Sequence, residues 1–133
     1  MTETVRSYRE LKVWQKGIEL VKMVYRLTQS FPKSEIYGLA SQMQRAAVSI
    51  SSNIAEGQGR QHTGEFRQFL HIAIGSAAEL DTQLVVAVEL DYATAENAQP
   101  LFDLILEIRK MTMHSSINSL AKTFHYPPPT SHW

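Results

Sequence analysis

The chain has 133 residues, 44% hydrophobic and 20% charged, which suits a single domain able to bury a genuine core. It contains no cysteine, so disulfides and thiolate metal sites are excluded. Thirteen basic residues balance thirteen acidic ones, but residues 1–67 hold ten Lys/Arg against six Asp/Glu, and residues 68–133 three against seven.

Ser7-Tyr8-Arg9-Glu10 reads as a capping box and predicts helix 1 from Ser7 to about Gln29, closed by Phe31-Pro32. Its apolar residues form two seams. Leu11, Trp14, Ile18, Val21 and Tyr25 make one; Val13, Leu20, Val24 and Leu27 make another, about 100° around the helix. One seam is enough for an antiparallel bundle, so the second is expected to meet another partner. Helix 2 is predicted from near Ser34 to near Gly57, with Ile36, Leu39, Met43, Ala47, Ile50 and Ile54 on its apolar face. Gly57 and Gly59 suit its C-terminus. Close to its opposite face lie Arg45, Ser49, Asn53, Glu56 and Arg60.

Helix 3 is predicted to follow Thr63 as N-cap and run to about Leu90, with Phe66, Leu70, Ala73, Ala77, Leu80, Leu84 and Val88 inward. Ile72, Val86 and Leu90 lie off that stripe and, like the second seam of helix 1, are candidate interface residues. Helix 4 is predicted from Thr94 or Asn97 to about Lys122, with Pro100 in or near its first turn. Short connections favour an antiparallel up-down-up-down four-helix bundle, so the expected fold class is all-α. The bundle domain is placed at residues 1–123. Residues 124–133, ending YPPPTSHW, form a Pro-rich tail that is extended or frayed.

Chemistry is sparse in this pattern. Di-iron bundles need Glu-x-x-His pairs, and the chain has none. His62, His71, His114, His125 and His132 form no His-x-x-x-His pair. Gly57-Gln58-Gly59 follows no strand and precedes no Lys-Ser/Thr, so it is a poor phosphate loop. No catalytic residue, metal site or cofactor is therefore assigned. Arg45, Ser49, Asn53 and Glu56, with Glu79 of helix 3, form a candidate polar network, in which Glu79 is a candidate partner of Arg45 or Arg60 between subunits. Arg9, Lys12 and Lys16, with Arg60 and Arg67, are candidate nucleic-acid contacts. They lack interleaved exposed aromatics, so such binding would be to phosphate and salt-sensitive.

Several segments carry a family resemblance. They are Leu11-Lys12-Val13-Trp14-Gln15, Phe31-Pro32 with Glu35, Gln42 through Arg45, Ser49-Ile50 and Asn53 through Gly57. Glu65-Phe66, Phe69-Leu70, Ala73 through Ser76 and Glu79 complete the pattern. The chain resembles the S23 ribosomal protein family, also called intervening-sequence proteins of large-subunit ribosomal RNA genes. The resemblance implies a bacterial cytosolic four-helix bundle forming a five-fold ring, similar to accessory ring proteins of retroelements that engage a reverse transcriptase and nucleic acid. The neutral overall charge departs from the usual pattern of a strong nucleic-acid binder.

The expected function is a non-enzymatic homo-oligomeric interaction protein, a homopentamer by resemblance, which presents a ring to some partner, with a protein as one possible partner. The alternative is an RNA- or DNA-binding accessory protein. No apolar run reaches the ~20 residues of a membrane helix. MTETVRSYRE lacks a signal-peptide layout, so the expected location is the cytoplasm.

Overall fold

The computed structural model describes residues 7–125, with side chains over residues 7–116. Among the described residues the chain is all-helical, with four α-helices and no strand: α1 (Lys12–Thr28), α2 (Leu39–Gln58), α3 (Thr63–Glu89) and α4 (Ala95–His125). Short 3-10 turns at Tyr8–Glu10 and Lys33–Glu35 precede α1 and α2. The boundary expected at residues 123 and 124 falls inside α4, and Tyr126–Trp133 of the expected tail lie outside the described residues.

The helix ends differ from expectation where local geometry overrides the sequence signal. Ser7 does cap, but its Oγ accepts from Arg9 N at 3.1 Å and closes the 3-10 turn; α1 starts later, after Leu11 in an extended conformation. Ile36 precedes α2 and is exposed, so it does not join the apolar face expected of it. Gly38 caps α2 without a side chain of its own, and Glu35 Oε1 supplies the acceptor for Leu39 N at 2.9 Å. Gly57 is a packing residue inside α2: a Cβ there would press on Phe66 and Phe69 of α3. Thr63 is the first residue of α3, and the cap position falls to His62. Asp91 ends α3 in the left-handed region at φ 62°, a role usually taken by Gly. Thr94 Oγ1 accepts from Asn97 N at 3.0 Å at the start of α4, and Pro100 lies exposed within the helix.

Contacts between neighbours run in opposite order along the chain. Trp14 O meets Ser51 Oγ at 3.4 Å, while Thr28 Oγ1 meets Gln44 Nε2 at 3.1 Å. Ser49 Oγ meets Ser76 Oγ at 2.8 Å, and Gly57 lies beside Phe66 and Phe69. The core is built from Leu20, Val24, Met43, Ile50, Ile54, Leu80, Leu84, Ile105 and Ile108, with Ala46, Ala47, Ala73, Ala77 and Ala87 permitting close helix approach. Each large apolar side chain enclosed in this way contributes about 1.5–3 kcal/mol.

One expectation is overturned here. Leu20 and Val24 are 0% exposed, and Val13 and Leu27 are half-buried against the same core. This seam belongs to the protomer and leaves Leu20 and Val24 no area for an interface. Ile18 and Tyr25 of the other seam are exposed. The reason is the placement of two neighbours. α2 approaches α1 at Gly17, where a Cβ would collide with Ser51 Oγ, and α4 approaches at Lys16, whose Nζ lies 3.0 Å from Glu107 Oε2. Leu20 and Val24 point between those two contacts, into the core.

Leu20→Ala is therefore expected to cost about 2–5 kcal/mol in chemical denaturation, as a cavity in the core does; a loss below about 0.5 kcal/mol would contradict the assignment. A second expectation concerns alkaline pH. The Tyr92 hydroxyl donates to Glu35 Oε2 at 3.0 Å. That hydrogen bond, then burial, then the Glu35 charge raise the phenol above its ordinary value of 10.0. The folded chain holds this proton more tightly than the unfolded chain, so the stabilisation is complete below the ordinary value and fades as pH rises through the raised one. Tyr92→Phe should flatten the alkaline limb of a stability-versus-pH curve, and an unchanged limb would discount the contact.

Candidate functional site

Helix α2 supplies most of the polar residues singled out in the sequence, but the fold divides them. Asn53 Nδ2 donates to Ser49 O at 2.8 Å and to Ser49 Oγ at 3.0 Å. Ser49 in turn shares a hydrogen bond with Ser76 of α3, so this trio sews α2 to α3. One turn further on, Arg60 pairs with Glu56 at 2.8 Å and lies over the Phe69 ring at 4.8 Å. Glu79 is exposed; its Oε2 accepts from Gln83 Nε2 at 3.3 Å. Arg45 is exposed and forms no ion pair among the described residues. The polar set is thus two structural clusters and two separate outward charges. Among the described residues no intrachain ion pair joins Glu79 to Arg45 or Arg60.

The basic candidates are likewise dispersed. Arg9 and Lys12 are exposed at the start of the chain's first helical segments. Lys16 is bound to Glu107 and Arg60 to Glu56, which offsets their charge locally. Arg67 is half-buried, and its Nε is enclosed without a hydrogen-bond partner.

Catalytic and metal chemistry find little support in this geometry. No group of three or more His, Asp or Glu side chains is placed to hold a metal ion among the described residues. His71 Nε2 stands 3.5 Å from Ser116 Oγ, long for a hydrogen bond that would activate a nucleophile. No helix among the described residues is long and apolar enough to cross a membrane.

The outward apolar residues are better organised. Two adjoining hollows follow the α1–α2 groove. One, about 250 Å³, is lined by Tyr8, Trp14, Ile18, Val21 and Val48 among others. The other, about 430 Å³, is lined by Tyr25, Ser41, Gln44, Arg45, Val48 and Ser49. Val48 floors both. On α3 and at its C-cap, Ile72, Val86 and Leu90 are 44%, 39% and 52% exposed. Their surface is free within the protomer, in keeping with their displacement from the core stripe. The groove was hidden in the sequence because Ile18 and Tyr25 share a seam with Trp14 and Val21. Val48 gave one usable signal, as an isolated branched apolar residue beside the Arg45–Ser49 polar stripe.

No curated protein sequence matches this chain. Among solved structures it is similar to a protein of unknown function from the S23 ribosomal protein family of Bacteroides thetaiotaomicron VPI-5482, whose crystal structure has a resolution of 1.70 Å. The two share a TM-score of 0.71 and 23% identity over 78% of this chain and 97% of that one, a likeness of fold. Residues 9–114 match the 23S rRNA-intervening sequence protein family. That span takes in α1, α2, α3 and much of α4, and the chain belongs to this family.

Proposed function

We propose that the chain is a non-enzymatic homo-oligomeric interaction protein of the cytoplasm: an up-down-up-down four-helix bundle that closes with further copies into a ring, of five subunits by resemblance. The observation that carries this reading is the exposed apolar surface, formed by the α1–α2 groove and by Ile72 and Val86 of α3 with Leu90 at its C-cap. Apolar surface gathered in patches costs free energy in water and is normally covered by a partner. The opposite order of contacts along successive helices supports the bundle topology.

Nucleic-acid binding is the second reading. It is favoured by exposed Arg9 and Lys12 and by the ribosomal RNA context in the family's name. Against it stand the internal pairing of Lys16 and Arg60 and the neutral net charge.

Light scattering on the purified chain, with and without mixed RNA, separates these readings. An oligomer whose mass ignores RNA at low and physiological salt is the expected result. A gain of RNA mass that salt reverses would promote the second reading, and a monomer at every concentration would overturn the first. If RNA does bind, Arg9→Glu with Lys12→Glu should weaken it at least tenfold without changing oligomer mass.

A further inference from the structure

We infer that the outer ridge of α3 seats in the α1–α2 groove of a second copy, with Glu79 of one subunit opposite Arg45 of the next. This rests on the oligomeric reading above and names the two faces that meet.

From Gln68 to Ile108 the chain contains no Lys or Arg, while Glu79, Asp81, Glu89, Asp91, Glu96, Asp103 and Glu107 all fall there. The whole exposed face of α3 past Arg67 is therefore acidic or neutral. In the α1–α2 groove the bias is reversed. Among the described residues Arg45 is the one charged side chain lining either hollow, and no carboxylate lines them. Opposite potentials on two faces of one chain favour contact between copies and set its orientation.

Shape and polarity agree. Ile72, Glu79 and Val86 recur every seven residues, two turns apart, so they form one stripe along α3 about 21 Å long. Trp14, Ile18, Val21 and Tyr25 give the groove an apolar wall of about 17 Å, with Tyr8 extending it beyond Trp14. A carboxylate at mid-stripe, flanked by branched apolar residues, meets a groove whose Tyr25 end holds a single guanidinium beside Val48, Ser41, Gln44 and Ser49, with Trp14, Ile18 and Val21 further along. Gln83 engages Glu79 Oε2, which leaves Oε1 for an external donor. Once enclosed, the ion pair fixes register more than it adds strength, because desolvation offsets much of its attraction. The apolar contact supplies the driving force.

Ridge and groove are different surfaces of the same chain, so the contact is heterologous. Each subunit keeps one free ridge and one free groove until a ring closes or a filament extends. This is a different geometry from a two-fold dimer, and it can be tested directly.

The experiment is light scattering across a dilution series on the full chain, the Arg45→Glu and Glu79→Arg variants, the double variant, and an equimolar mixture of the singles. Circular dichroism serves as a check that these exposed substitutions leave helicity intact. Each single variant should associate at least tenfold more weakly than the parent. The double variant should regain assembly. The mixture should also assemble better than either single variant alone, because wherever the two chains alternate, positions 45 and 79 carry opposite charges across the contact. A parent that assembles while the single variants match it, or a double variant no better than either single, would overturn the inference and leave the oligomeric reading standing. A monomeric parent would overturn both. Because the chain has no native cysteine, Arg45→Cys and Glu79→Cys chains can be mixed and oxidised as a second readout. Cross-links joining position 45 to position 79 are expected; 45–45 or 79–79 products in their place would indicate a two-fold contact and overturn the inference.

Discussion

The close approach of α2 to α3 is the constraint on which the remaining packing depends. Ser49 and Ser76 share a hydrogen bond, and a Cβ at Gly57 would press on Phe66 and Phe69. Alanines at 46, 47, 73 and 77 are buried nearby. Small residues along both helices let the backbones come together and bring Ile50, Ile54, Leu80 and Leu84 into one core. The polar members of the pair lose no hydrogen bonding by this approach, because Ser49, Asn53 and Ser76 satisfy one another. What remains outside is a surface of isolated charges and branched apolar residues.

Helix α1 shows how two local contacts decide which side of an amphipathic helix is inward. Ser51 lies against Gly17 and Glu107 against Lys16, and the direction between them encloses Leu20 and Val24. The aromatic seam is left on the outside, half-covered by α2. Burying Leu20 and Val24 there fills the core with compact side chains, and the larger Trp14 and Tyr25 keep part of their area in water. A helix with two apolar seams and one core to fill has surplus apolar surface. In this chain the surplus lies in a groove.

The proposed function rests on surface. The hollows on α1 and α2 are lined by rings, branched side chains and hydroxyls, with one guanidinium. Such a lining suits recognition of another helix, where apolar area supplies affinity and a single charge supplies register. Lys16 and Arg60, which read as available cations in the sequence, are held by carboxylates within the protomer. That pairing commits basic charge to internal order and leaves Arg45 as an outward charge beside apolar surface.

Four helices, their order and the family were legible in the sequence, because periodicity, spacing and motif order are local properties. The displaced positions of Ile72, Val86 and Leu90 were legible for the same reason: a departure from the core stripe needs only the helical repeat. The choice between the two seams of α1 was not legible. Both have helical spacing, and only the side from which α2 and α4 approach distinguishes them. The role of Gly57 was equally hidden, since a glycine near a helix end looks the same whether it caps the helix or admits Phe66 and Phe69. Asp91 carries the left-handed turn that a glycine would have advertised. Local sequence determined where helices form and which residues are apolar. Tertiary structure decided which apolar residues are covered, because burial depends on the distance to a neighbour that no helical repeat encodes.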